Sequence, residues 1–156
     1  MNGTDAHAES GIWLNEDEQR AWRGVVQLFM KLPAAIDSNL QRTAGVTQFE
    51  YAVLALLSES DERTLQMSEL AAGTNASLSR LSHVVSRLEG RGWITRQVSP
   101  GDGRATQAVL TNAGLAKIVE TAPDHIRLVR ELVINALTPT QLRQLGLAGE
   151  KIGQRI

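Results

Sequence analysis

Residues 68–96 read Ser68-Glu-Leu-Ala-Ala-Gly-Thr-Asn-Ala-Ser-Leu-Ser-Arg-Leu-Ser-His-Val-Val-Ser-Arg-Leu-Glu-Gly-Arg-Gly-Trp-Ile-Thr-Arg96, and this stretch decides the fold. Ser68 opens a short helix that ends near Gly73. A tight turn leads into a longer helix from about Ser77 to Glu89, stopped by Gly90-Arg-Gly92. A helix turns about 100° per residue, so Leu78, Leu81, Val85 and Leu88 share one face and are expected in the core. The opposite face is centred on His83 and flanked by Ser79, Arg80 and Arg87. Two strands follow, Trp93–Val98 and Ala105–Leu110, separated by the turn chemistry of Ser99-Pro-Gly-Asp-Gly103. Short helix, turn, long helix and hairpin, in that order, predict a winged helix-turn-helix. Such a unit places its second helix in the major groove and its hairpin beside it.

Working outward, Leu65–Met67 is a short strand candidate, and Thr47 with Glu50 makes a capping box opening a helix over Gln48–Ser58. Its expected core side is Tyr51, Val53, Leu54, Leu56 and Leu57. Asn15 with Glu18 makes another capping box. Trp22, Val25, Val26, Phe29, Leu32, Ile36 and Leu40 then recur at helical spacing to about Arg42, with Pro33 expected to kink or split the helix. After the hairpin, Thr111 caps a long helix in which Pro123 is expected as an interruption. Thr138-Pro139 with Gln141 starts a last helix.

The expected class is therefore mainly α (α+β): a winged helix-turn-helix core with a small hairpin wing, and N- and C-terminal helices forming a dimerisation region. Residues 1–12 read as a flexible tail and 13–156 as one domain. Within it, 13–44 and 112–156 are dimerisation helices and 47–111 is the DNA-binding unit. The end helices carry more apolar surface than a small reader domain covers, and a second copy of the chain is its expected partner.

Composition narrows the function. The chain has no cysteine, which excludes disulfide scaffolds, Cys-based zinc sites and thiol redox sensing. His7, His83 and His125 form no metal-ligand spacing, so no metal or other cofactor is expected. Net charge is −1, and the whole molecule is not basic; the distribution is what points to an anion. Residues 76–104 hold Arg80, Arg87, Arg91, Arg96 and Arg104 against Glu89 and Asp102, whereas the first 18 residues hold five acids and no Lys or Arg. No apolar run approaches the ~18–20 residues of a membrane span, and the acidic N-terminus is unlike a signal peptide. A cytoplasmic protein is expected. No nucleophile–base pair, Gly-rich phosphate loop or HExxH site is present, so an enzyme is not expected.

For DNA contact the candidate residues are Ser77, Ser79, Arg80, Ser82, His83 and Arg87 on the long helix. Arg forks onto a guanine edge or a phosphate, Ser contacts either, and His donates to guanine or phosphate. In the wing, Arg104 suits the negative potential of a narrow minor groove, and Asp102 suits the task of pre-orienting it. The competing reading is a winged helix that mediates protein contact without DNA. That module calls for an apolar or acidic outward helix face.

The segment Leu78-Ser-Arg-Leu-Ser-His-Val-Val-Ser-Arg-Leu-Glu-Gly-Arg-Gly-Trp-Ile94, the wing Asp102-Gly-Arg104 and the run Val109-Leu-Thr-Asn-Ala-Gly114 resemble the MarR family of winged-helix transcriptional regulators. The resemblance extends from Trp13-Leu-Asn15 to Leu137-Thr-Pro139. It implies a homodimer built from the first and last helices and a pseudo-palindromic double-stranded operator. The second helix of the turn motif reads the major groove, and the wing arginine reaches the minor groove. Where family wings often carry a second basic residue between the Asp and the Arg, this chain has Gly103, which implies a weaker or more mobile wing contact. The resemblance also implies a regulator, in the first instance a repressor. Its affinity would be modulated by a small aromatic or phenolic effector. Trp13, Trp22, Phe29 and His125 are the candidate lining residues.

Overall fold

The computed structural model describes residues 12–99 and 102–155, with the backbone alone at 102–104. The expected tail at 1–12 lies almost wholly outside the described residues. Two compact units are present, one ending at Ala35 and one starting at Ile36, and the first helix, α1 (Glu16–Ala44), contributes to both.

In the first unit, α1 starts at the Asn15/Glu18 box. The Glu18 amide donates to Asn15 Oδ1 at 3.0 Å, and the Asn15 amide donates back to Glu18 Oε2 at 2.8 Å. Glu16, Asp17 and Glu18 fill the first turn, where the helix dipole favours negative charge. Pro33 does not split this helix, and Pro123 does not interrupt the helix that contains it. Each proline removes one donor, freeing the carbonyl four residues earlier. Those carbonyls belong to Phe29 and Val119, residues that are 75% and 64% exposed, so both lie on the solvent side of their helices.

The second unit is the winged helix. Its α1 portion buries Leu40 and ends at Gly45, whose φ of +65° suits the left-handed turn there. Helix α2 (Gln48–Glu59) starts at the predicted capping box and buries Val53, Leu54 and Leu57; Tyr51 and Leu56 are half-buried. A 3-10 turn (Asp61–Arg63) leads to β1 (Thr64–Gln66). Helix α3 (Met67–Gly73) starts two residues earlier than a Ser68 cap implies. Its N-cap is Gln66 rather than Ser68, because the Glu69 carboxylate accepts from the Gln66 amide at 2.9 Å. Helix α4 (Leu78–Gly90) is capped by Ser77, whose hydroxyl accepts from the Arg80 amide at 3.2 Å.

Strands β2 (Ile94–Ser99) and β3 (Asp102–Leu110) pair antiparallel from Ile94↔Leu110 out to Ser99↔Asp102. Strand β1 adds to the far edge of β3, Thr64 facing Val109, giving the order β1-β3-β2. Helix α5 (Asn112–Leu132) follows Thr111, and after a 3-10 turn (Ile134–Ala136) helix α6 (Pro139–Gly153) opens with the Thr138/Gln141 box. The chain is thus mainly helical with a small three-stranded sheet, as the sequence implies.

One core joins α2, α3, α4 and the sheet: Val53, Leu54, Leu57, Leu70, Ala71, Leu81, Val84, Val85, Leu88, Ile94, Ala108 and Leu110. Leu78 is not in it. At the first position of α4 it precedes the part of the helix that the core covers, and it stands 56% exposed; Val84 fills the inward stripe instead.

Candidate nucleic-acid interface

The interface is built on α4, and the turn before it sets its direction. Asn75 takes φ +48°, a conformation Asn tolerates better than most residues. The Ala76 amide then closes onto the Ala71 carbonyl at 2.9 Å. At the far end Gly92, φ +73°, lets the Trp93 amide reach the Leu88 carbonyl at 3.0 Å, so β2 begins directly under the helix.

With Leu81, Val84, Val85 and Leu88 facing inward, the stripe pointing away from the core carries Ser79 and His83, both exposed. No acid lies on that stripe. Ser77 is exposed at the helix start. The edges of α4 are different: the side chains there are engaged with the protein.

On the α2 edge, the Arg80 guanidinium lies 4.3 Å from the centre of the Phe49 ring. Arg87 Nε sits 3.3 Å from Glu50 Oε1; the Arg87 side chain is 58% exposed and the Glu50 side chain only 4%. Just past the helix, Arg91 donates to the Gly45 carbonyl at 3.0 Å and lies over the Trp93 ring.

On the hairpin edge, Arg96 of β2 donates to the half-buried Ser82 at its carbonyl (2.8 Å) and to Ser86 Oγ (2.6 Å), and pairs with Glu89 at 3.7 Å. The basic cluster counted along the sequence is therefore largely a frame that orients α4. Charge counting treats every arginine as outward; of the groups that receive them, Phe49, Glu50 and the Gly45 carbonyl lie more than 30 residues away in sequence, and only Glu89 is near its partner. Asp102 opens β3; its side chain, that of Arg104 and the tip between the strands lie outside the described residues, and with them the expected Asp102–Arg104 contact.

The effector candidates Trp22 and Phe29 are exposed on the first unit, as is Trp13. His125 is in the second, half-buried, its ring 4.6 Å from that of Tyr51 and tilted by 49°. Its Nδ1 is buried with no hydrogen-bond partner among the described residues. Burial holds the His125 pKa below the ordinary imidazole value, and burial, then the Glu59 charge, raises that of Tyr51. Tyr51 was read from sequence as core and is the unforeseen neighbour of His125. Among the described residues no group of three or more His, Asp or Glu could hold a metal ion, and no helix is long and apolar enough to cross a membrane.

A capped helix with a polar, acid-free outer stripe, locked between a second helix and a hairpin, defines a winged helix-turn-helix protein. The sequence profile of the MarR family matches residues 44–105. The chain is 39% identical to Sco3205, a MarR family transcriptional regulator from Streptomyces coelicolor solved in complex with DNA. That structure aligns over 91% of this chain and 89% of its own, with a TM-score of 0.87. AbsC, a MarR family regulator from the same organism, is 36% identical over 92% of this chain and 96% of its own, TM-score 0.86. The transcriptional repressor MprA of Escherichia coli is 26% identical over 76% of this chain and 67% of its own length. The chain belongs to the MarR family of transcriptional regulators.

Proposed function

We propose that this protein is a sequence-specific double-stranded DNA-binding repressor. It works in the cytoplasm as a homodimer on a pseudo-palindromic operator, and a small aromatic or phenolic ligand modulates its affinity. The observation that carries the proposal is the acid-free outer stripe of α4, with Ser79 and His83 outward and the edges braced against α2 and β2. A groove-sized helix whose orientation is set before contact needs few free charges to discriminate bases. Ser77 and Arg80 suit backbone and groove-edge contacts, Ser82 lies on the hairpin side of the stripe, and Asp102 and Arg104 belong to the wing. Similarity to a regulator solved in complex with DNA supports the same reading.

Two features support the finer parts. Trp22, Leu28, Phe29 and Met30 are exposed on the first unit, and separately Leu145, Leu147 and Ile152 of α6 are exposed on the second; each is apolar surface that a second copy would cover. A two-fold dimer then sets two α4 helices one DNA turn apart, about 34–36 Å. The buried His125 Nδ1, without a hydrogen-bond partner among the described residues, and the adjacent Tyr51 ring support a ligand bearing an aromatic ring and a hydroxyl.

The test is selection of binding sites from random duplex DNA by the purified protein. A near-palindrome with half-sites one turn apart is the expected result; recovery of nothing above non-specific binding overturns it. On the selected site, His83→Ala should lose about 1–3 kcal/mol at one base position. Equal weakening of all sequences makes His83 a phosphate contact instead.

A further inference from the structure

Arg87 is usually the kind of residue assigned to DNA: a cation on the flank of a reading helix. Its surroundings assign it another task. Glu50 is the third residue of α2, and its carboxylate is almost wholly buried. Oε2 accepts from the Thr47 amide at 2.8 Å and from the Thr47 hydroxyl at 3.2 Å. Oε1 faces Arg87 Nε at 3.3 Å. A buried carboxylate needs a counter-charge, and the cation that meets it comes from α4. The contact is an ion pair at 3.3 Å, made from the inner nitrogen of the guanidinium, so it holds the arginine side chain on the α2 side of α4.

A second tether lies one turn further on. Arg91 reaches the Gly45 carbonyl at 3.0 Å, at the other end of the three-residue link between α1 and α2. Residues four apart share a helix edge. Arg87 and Arg91 thus pin one edge of α4 at two points to the α1–α2 junction, and two points on one edge fix rotation about the helix axis as well as tilt.

We propose that Arg87 is a positioning residue. Through Glu50 it sets the rotation of α4 that presents Ser79 and His83 to the base edges, and it does not itself neutralise a phosphate. A cation already matched by a carboxylate displaces little of the counterion atmosphere of DNA, so its removal should lower discrimination and not the salt dependence of binding. The inference rests on the DNA-reading function proposed above.

The experiment uses the full chain, the operator recovered by selection and a scrambled duplex of equal length, each titrated over a salt series. The variants are Arg87→Ala, Glu50→Gln and the double substitution. Gln still accepts the Thr47 amide, so Glu50→Gln keeps the capping box and removes only the charge. Positioning predicts that each single variant weakens operator binding by roughly 2- to 30-fold, the range for substitutions that act without touching the ligand. Scrambled-duplex affinity and the salt slope should stay at wild-type values, and the double variant should be no weaker than the weaker single. If Arg87→Ala is unstable because it orphans Glu50, the double variant removes that charge and carries the test. A phosphate contact predicts the opposite pattern. Arg87→Ala would then weaken both duplexes and reduce the salt slope by about 1, and Glu50→Gln, by freeing the arginine, would tighten binding. Either result overturns the positioning role while leaving the DNA-reading function intact. A wild-type protein that selects no operator overturns both.

Discussion

Gly114→Ala is the substitution whose effect the structure specifies most directly. Gly114 is buried at the start of α5, and its amide donates to the Thr111 hydroxyl at 3.0 Å. A Cβ built there would lie 2.2 Å from the Trp93 carbonyl oxygen and 2.6 Å from Leu110 Cδ1. The leucine methyl can rotate away; the carbonyl cannot, because it also accepts from the Thr111 amide at 3.0 Å. Relaxed C···O contacts lie near 3.3 Å, so α5 and the start of β2 must separate by roughly 1 Å. Overpacking of this kind costs about 1–3 kcal/mol, and a stretched buried hydrogen bond adds about 0.5–1.5. The helical preference of Ala over Gly returns at most about 1 kcal/mol. The expected net loss is about 0.5–4.5 kcal/mol.

Urea unfolding at a fixed protomer concentration reads this as a fall in midpoint on the order of 1 M, since slopes for small proteins are about 1–3 kcal/mol/M. Gly146→Ala in α6 is the control. A Cβ there meets nothing within 4 Å among the described residues of the chain, so the midpoint should hold or rise. A Gly114→Ala midpoint equal to wild type or above it would refute the argument that the missing side chain is what lets α5 close on Trp93.

Three further outcomes are expected. Thr111→Ala, which loses an acceptor for Gly114 and a donor to the Gly92 carbonyl at 2.7 Å, should destabilise by about 1–2 kcal/mol in the same assay, and Thr111→Ser should largely restore stability. Arg96→Ala removes the guanidinium contacts of β2 with Ser82, Ser86 and Glu89 and leaves only the residue-96 amide on Glu89; selection with this variant should return the same half-site core with a weaker preference in the flanks beside the wing, and an altered core would contradict the clamp. Burial depresses the His125 pKa, so the unfolded chain takes up this proton first as pH falls. Stability owed to neutral His125 is therefore complete above about pH 6.5 and declines below it, and His125→Gln should flatten that part of the profile measured by thermal unfolding.

Much of the fold was legible in the sequence because its signals are local. Capping boxes at Asn15/Glu18, Thr47/Glu50 and Thr138/Gln141 join residues three apart, and all three form. The stop at Gly90-Arg-Gly92 and the hairpin after it are likewise written in neighbours. Errors came where a local rule met a tertiary surrounding. Leu78 obeys the helical period but starts α4 outside the core; Ser68 is a good cap type, but the Gln66 amide is the one that Glu69 reaches. Both helices run on through their prolines, and the residues four positions earlier, Phe29 and Val119, are exposed.

The candidate site divides the same way. Sequence alone determined which helix would face outward and which side chains, Ser79 and His83, would stand on its outer stripe, because helical periodicity needs no partner. The family resemblance also ran through Arg87-Leu-Glu-Gly-Arg-Gly92 and Leu110-Thr-Asn-Ala-Gly114 without giving the reasons for those residues. Those reasons are tertiary. Arg87 meets Glu50, Arg91 meets a carbonyl 46 residues away, Glu89 meets Arg96, and Gly114 yields its space to Trp93. Only the closed fold decides whether an arginine is a free charge for DNA or a strut for the helix that reads it. That choice depends on which carboxylates and carbonyls folding brings within about 3 Å, and no spacing along the chain encodes that distance.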